Sequence, residues 1–207
     1  MKRIALSFAV LALSIGNYAY ATTYTYTGNN FDTVTGVYST SHSVSRSFTV
    51  ASALPADMDG DISQQVLSYS FTDGVNTLNE SNSVLCTGLA YGILVGTDSN
   101  GNLDEWSVSI CTPVSTVPSP VHMIMSLNAG ALVADVGGVS TCIGVDGDAC
   151  DEFSDEVSTD AGQIQGQAGT WTRSGWATPV PTLTQWSLVL LALGLGMLGI
   201  ARIRRNV

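Results

Sequence analysis

The chain has 207 residues, a formal net charge of −10, only 12% charged residues and a mean hydropathy of +0.26. Its acid is concentrated: all seventeen Asp and Glu lie between Asp32 and Asp160, and from Thr22 to Thr178 only Arg46 and Arg173 oppose them, a net of −15. So acidic a middle repels nucleic acid and anionic membrane surfaces and attracts cations, which excludes nucleic acid as a partner.

Residues 1–21 read as a secretory signal peptide. Lys2 and Arg3 supply the positive start, Ile4 to Ile15 the apolar stretch, and Ala19-Tyr20-Ala21 the small-residue cleavage site. Signal peptidase then leaves Thr22 as the mature N-terminus. The span 22–178, about 155 residues, is long enough to bury the core of one domain unaided.

Strand signals recur through that span and helical ones do not. Thr23-Tyr24-Thr25-Tyr26-Thr27 alternates polar with aromatic, Val44, Phe48 and Val50 sit among Ser and Thr, and Leu67, Tyr69 and Phe71 alternate into Asp73-Gly74, which reads as a two-residue hairpin turn. The expected class is all-β, a single β-sandwich or jelly-roll-like domain. One hairpin can be registered: Asn100-Gly101 as a type I′ turn pairs Val95 with Trp106, Ile93 with Val108 and Tyr91 with Ile110, all apolar. Burial of that face fixes the register.

Four cysteines, Cys86, Cys111, Cys142 and Cys150, are an even count in an exported chain and predict two disulfides, with three connectivities open. The hairpin register puts Cys111 opposite Ala90, four residues from Cys86 and ~13 Å along an unbroken strand. A Cys86–Cys111 bond therefore requires a bend near Thr87-Gly88 or Pro113. That bond together with Cys142–Cys150, which closes a short loop, is the favoured pairing.

Three acidic stretches invite a metal. Asp98, Asn100, Asn102 and Asp104 have the spacing with which an EF-hand loop begins, but Leu103 and Ser109 stand where that loop needs Gly and Glu, so a turn explains them better. "DMDGD" at 57–61 and "DGDACDEFSDE" at 146–156 are denser in carboxylate. In the second, Cys142 and Cys150 would hold Asp146, Asp148 and Asp151 in shape as weak Ca²⁺ ligands, against the plainer reading of a solvated loop. For catalysis there is little: His42 and His122 are the only histidines, and neither a G-x-S-x-G elbow nor an H-E-x-x-H pair occurs. The domain is expected not to be an enzyme, with paired-carboxylate glycoside hydrolysis as the remote alternative.

From Trp186 to Ile203 the chain is apolar apart from Ser187 and Arg202, long enough for a membrane-spanning helix of ~27 Å. Trp186 suits one interface and Arg202, Arg204 and Arg205 suit the cytoplasmic side. Just before it, Pro179 and Pro181 hold an extended strip that a protease could grip.

The order "VPTLTQW", apolar helix, "RIRR" resembles the IPTL-type C-terminal sorting signal of Gram-negative bacteria, a relative of the PEP-CTERM signal. Val180 stands where the signal usually has Ile, and Pro181, Thr182, Leu183 and Trp186 match it. The resemblance covers residues 179–207 and implies recognition by an exosortase, a multi-pass membrane enzyme with a cysteine nucleophile, which removes the tail. The chain would then pass from the inner membrane to the cell surface or matrix. In the middle, "YTYTGNNFDTVTG", "LSYSFTDGVNTL" and "GTDSNGNLDEWSV" look like segments of exported β-rich domains that accompany such signals, though the cysteines depart from their pattern. The expected protein is an exported envelope or extracellular one with a structural, matrix or adhesive domain. The alternative is a Ca²⁺-dependent carbohydrate-binding module that takes polysaccharide.

Overall fold

Alternation of Thr with Tyr at the start of the mature chain builds a strand that buries Tyr24 and Tyr26 and turns Thr25 and Thr27 to solvent. The same period of two organises most of the molecule, whose computed structural model describes residues 21–86, 92–154 and 159–174. Those residues fall within one compact unit spanning Tyr20–Thr178. The strands are β1 (Thr22–Asn30), β2 (Thr33–Thr35), β3 (Ser43–Val50), β4 (Asp59–Asp61), β5 (Val66–Thr72), β6 (Thr77–Asn79), β7 (Val84–Leu85), β8 (Ile93–Thr97), β9 (Leu103–Cys111), β10 (Ser119–Ala129), β11 (Leu132–Asp146), β12 (Ala149–Phe153), β13 (Ala161–Gln165) and β14 (Thr170–Ser174). Among the described residues there is no α-helix.

The strands form two sheets. The first has the order β14-β1-β3-β5-β6; the second runs β2-β13-β11-β10-β9-β8-β4, with β12 beside β11 and β7 beside β9. Every strand pairing is antiparallel, and the sheets pack face to face in a sandwich-like fold, as the alternation predicted. Tyr24, Tyr26, Phe48 and Phe71 of the first sheet meet Trp106, Val108, Ile110 and Ile124 of the second in one buried cluster. Each such side chain contributes about 2 kcal/mol by leaving water. A smaller cluster of Val114, Val121, Cys142 and Cys150 lies apart from it.

The outward side of the first sheet is uniform. Thr170, Thr27, Ser45, Thr72 and Thr77 stand abreast across five strands, and Thr172, Thr25, Ser47 and Ser70 repeat the pattern one step along. No strand of this sheet carries Asp or Glu, so the carboxylates belong to the second sheet and the loops. The first and last of the described strands meet here too: β1 opens at Thr22, β14 closes at Ser174, and Thr23 is paired with Ser174.

Three details depart from the sequence-based register. The reversal after β5 is centred on Gly74–Val75, closed by Asp73 N–H donating to Asn76 C=O at 3.3 Å, one residue later than Asp73-Gly74. Leu67 is 62% exposed, because pairing with β3 slips between Thr49↔Ser68 and Val50↔Val66 and Val66 takes the inward place. At Asn100-Gly101 only Gly101 has a left-handed φ, +76°, so the loop is not type I′. Asp98 and Asn102 close a three-residue loop instead, and a bulge beyond Gly96 restores Val95↔Trp106 and Ile93↔Val108 as expected.

Candidate functional site

The sorting-signal residues Val180, Pro181, Thr182, Leu183 and Trp186, the basic cluster Arg202, Arg204 and Arg205, and the signal peptide before residue 21 lie outside the described residues. The cysteines lie inside. Cys86 is bonded to Cys111 and Cys142 to Cys150, with Cα atoms 5.5 and 5.7 Å apart. The first bond forms because β7 sits beside β9 in a new register. Leu85 pairs with Ile110 and Val84 with Cys111, the partners that the hairpin register assigned to Tyr91 and Ala90, which lie outside the described residues. Thr87 and Gly88, where a bend was expected, lie outside the described residues.

The acidic loops serve turns. Asp98 Oδ1 accepts the amide N–H groups of Asn100 and Asn102, both at 2.8 Å, and Asn102 Nδ2 donates to Asp98 Oδ2. These bonds hold the Asp98 carboxyl below its usual range. Asp57 takes a left-handed φ of 52°, and Asp61 Oδ1 accepts from Ser63 N–H at 2.8 Å. Asp146 pairs with Ala149 across a hairpin that Gly147 turns with φ +65°, which places Asp148 at the tip and Asp151 on β12. Among the described residues no three His, Cys, Asp or Glu side chains converge as a metal ion would require.

The structure does bring together a set that the sequence left scattered. Asp73, fully buried at the end of β5, accepts from Tyr38 Oη and from His122 Nε2, the latter at 2.7 Å, both on Oδ2. Its Oδ1 accepts the N–H groups of Val75 and Asn76 at 2.9 and 2.8 Å. Burial pushes the carboxyl up, but the bond from His122, the amides and Tyr38 outweigh it, so Asp73 titrates below its usual range. Burial, then the bond to Asp73, raises the Tyr38 phenol. Gly137 lies so close to Asp73 that a Cβ there would collide with the carboxylate's own Cβ. His42 packs beside Gly74, and its ring meets Tyr38 edge-on at 6.1 Å. Both histidines thus gather at one corner, joined by Asp73 from the first sheet and His122 from the second. A carboxylate–histidine pair is half of a nucleophile-activating relay. Here the other ring nitrogen, Nδ1, faces Asn76 Nδ2 at 3.3 Å, where such a relay needs a hydroxyl or thiol.

A second buried charge sits mid-sandwich. Arg46 occupies an inward position of β3 and is 3% exposed. Its Cζ lies 4.5 Å from the Tyr26 ring centroid and 4.7 Å from that of Trp171, with Phe71 and Trp106 at 5.6 and 5.7 Å. None of its nitrogens has a hydrogen-bond partner among the described residues. Burial pushes its pKa down to about 10, which leaves it a cation at neutral pH. Asp135, 1% exposed, accepts from Tyr26 Oη at 2.7 Å. Burial raises its carboxyl above the usual range, against the pull of Ser126, Tyr26 and Arg46. The same burial, then the Asp135 charge, pushes the Tyr26 phenol up to about 12. Sequence held one signal for this cage: alternation puts position 46 inward between Val44 and Phe48, and an arginine there demands aromatic neighbours. The His122–Asp73 pair, 49 residues apart, carried none.

No curated protein and no solved structure matches the chain. Its tail does match a family model. Residues 178–205 are an IPTL-CTERM motif. The match spans Val180, Pro181, Thr182, Leu183, Trp186, Arg202, Arg204 and Arg205, and begins four residues after Ser174, the last residue of β14. The IPTL-CTERM motif is a C-terminal sorting signal, and it marks this chain as an exported, surface-directed protein whose folded part is all-β and held by two disulfides.

Proposed function

We propose that an exosortase cuts the tail in the strip Val180 to Leu183, that signal peptidase removes residues 1–21, and that the released domain serves at the cell surface or in the matrix as a structural or adhesive element, not as a catalyst. The observation that carries this reading is the sorting motif placed directly behind the last strand of a disulfide-stapled sandwich. Support comes from the corner around Asp73, whose hydrogen-bonding capacity is spent on holding the sheets and loops together. Further support comes from Tyr24, Tyr26, Phe48, Phe71 and Trp106, which pack inward among the described residues instead of forming a sugar-stacking platform.

Intact mass of the protein from its native host, with the sorting enzyme present and deleted, tests the processing. A wild-type chain ending between Val180 and Leu183, or carrying an added group there, with the full tail kept in the deletion strain, is the expected result. Val207 retained in both strains would reduce the motif to an anchor. Capture on host polysaccharide with and without chelator tests the adhesive role and its Ca²⁺-dependent variant.

A further inference from the structure

One row of paired residues crosses the inner face of the first sheet, a side chain from each strand: Trp171, Tyr26, Arg46, Phe71 and Leu78. Arg46 is the cation in the middle of it. From the second sheet, β11 supplies Asp135, whose Oδ2 accepts the Tyr26 hydroxyl at 2.7 Å. Tyr26 therefore touches both charges, its ring 4.5 Å from Arg46 Cζ and its hydroxyl on the carboxylate, while Arg46 and Asp135 make no hydrogen bond to each other.

This arrangement leaves polar atoms over on both sides. Arg46 Nε, Nη1 and Nη2 carry all the N–H donors of the guanidinium, and none is bonded among the described residues. Asp135 Oδ1 receives no donor, and Trp171 Nε1, on a ring centred 4.7 Å from Arg46 Cζ, meets no acceptor. Bulk solvent does not serve them, because Arg46 is 3% and Asp135 1% exposed. Ring faces attract the charge of a cation, but its N–H bonds need lone pairs. Leaving so many donors and a carboxylate oxygen dry costs more than a marginally stable domain absorbs. Ser109 Oγ, also without a partner, lies on the face of β9 opposite Trp106 and does not belong to this set.

We propose that Arg46 and Asp135 hold between them a sealed water site, in which water accepts from the guanidinium and donates to Asp135 Oδ1. The two ends of the site demand opposite chemistry, and water supplies both. A halide only accepts, and the carboxylate repels it; a metal ion meets the charge of Arg46. A larger ligand has no way in past side chains this deeply buried. Several convergent polar partners are what retain an internal water. The ion pair is thereby solvated at the centre of the sandwich, inside an aromatic wall.

The test uses the full-length, isotope-labelled chain in detergent micelles and reads magnetisation transfer from water to the Arg46 Nε–H, assigned by its loss in Arg46→Lys. The expected result is a slowly exchanging Nε–H with a direct cross-relaxation peak to water, of the sign given by a molecule bound for longer than the protein tumbles. Oxygen relaxation dispersion of the solvent, which is blind to exchanging protein protons, provides the second measurement. Arg46→Met combined with Asp135→Asn should lose the contribution of the long-lived water; if that variant does not fold, the wild-type peak decides alone. A slow Nε–H without a water peak overturns the proposal, and so does an Nε–H that exchanges at the rate of an open surface. An undiminished relaxation contribution in a folded double variant overturns it too. A melting temperature that climbs with bromide but not with sulfate at equal ionic strength, and does so only while Arg46 is present, would make the ligand a halide and overturn it as well.

Discussion

The sandwich buries charge in two places and treats it in opposite ways. At the corner, Asp73 is surrounded by donors: a phenol, an imidazole and two backbone amides. At the centre, Arg46 has four aromatic rings and no hydrogen bond, and its neighbour Asp135 keeps one oxygen, Oδ1, without a partner among the described residues. A carboxylate at a loop can recruit amides, because turn geometry aims them at one point. A guanidinium between two sheets has no free backbone to recruit, since the ladders use it, and is held by ring faces instead. The titration directions follow: Asp73 is held down in pKa, while burial drives Asp135 up and Arg46 down.

Asp73→Ala should therefore be the most damaging change. It strands His122, Tyr38 and two amides together, a loss of about 3–5 kcal/mol by urea unfolding. A cost below about 1 kcal/mol would show the corner to be solvated and the contrast false. Trp171→Ala, which opens one wall around Arg46, should follow at about 3 kcal/mol, with enhanced near-ultraviolet change as the rings repack.

The two carboxylates should then separate in pH. Asp73 is depressed in the fold, so its contribution is complete above the unfolded value of about 3.9 and is lost as pH falls through its lower folded value. Asp135 is raised, so the unfolded chain ionises first, and stability is lost as pH rises from about 4 through its higher folded value. Melting temperatures from pH 2 to 8 should accordingly lose their acid limb in Asp73→Asn and their loss between weakly acid and neutral pH in Asp135→Asn. Identical profiles for both variants would break the comparison. The smallest effect belongs to Arg46→Met combined with Asp135→Asn: replacing an imperfectly bonded buried pair by neutral groups of similar size should change stability by no more than about 1–2 kcal/mol, in either direction.

How far the sequence foretold this depends on range. Strands β1, β3 and β9 were legible because alternation fixes which side chains are buried, and Val95↔Trp106 survived although the turn beneath it was misread. The loop gained a residue and a bulge removed it, so the apolar face governs register and the turn adapts. Where burial did not decide, reading failed: Leu67 continued the alternation on paper, but the slip between Thr49 and Val50 handed its place to Val66. The pairing of Leu85 with Ile110, which lets Cys86 reach Cys111, has no periodic signature. Contacts such as His122 to Asp73 or Tyr26 to Asp135 join residues 49 and 109 positions apart and are invisible to any local pattern.

The pairing of the first strand with the last has a consequence for the order of folding. Ser174 Oγ donates to Thr23 C=O across 151 residues, and Trp171 completes the ring of aromatics around Arg46. A chain threaded across a membrane N-terminus first can zip β1 to β3 early, but one edge of β1 stays unsatisfied, and one wall beside Arg46 stays open, until Thr170–Ser174 emerge. Only the few residues before the sorting motif then remain to be translocated. On the proposed export route, closure of the sandwich and arrival of the tail at the membrane would coincide, and a variant that weakens β14 would present its tail while the domain is still open and prone to aggregate.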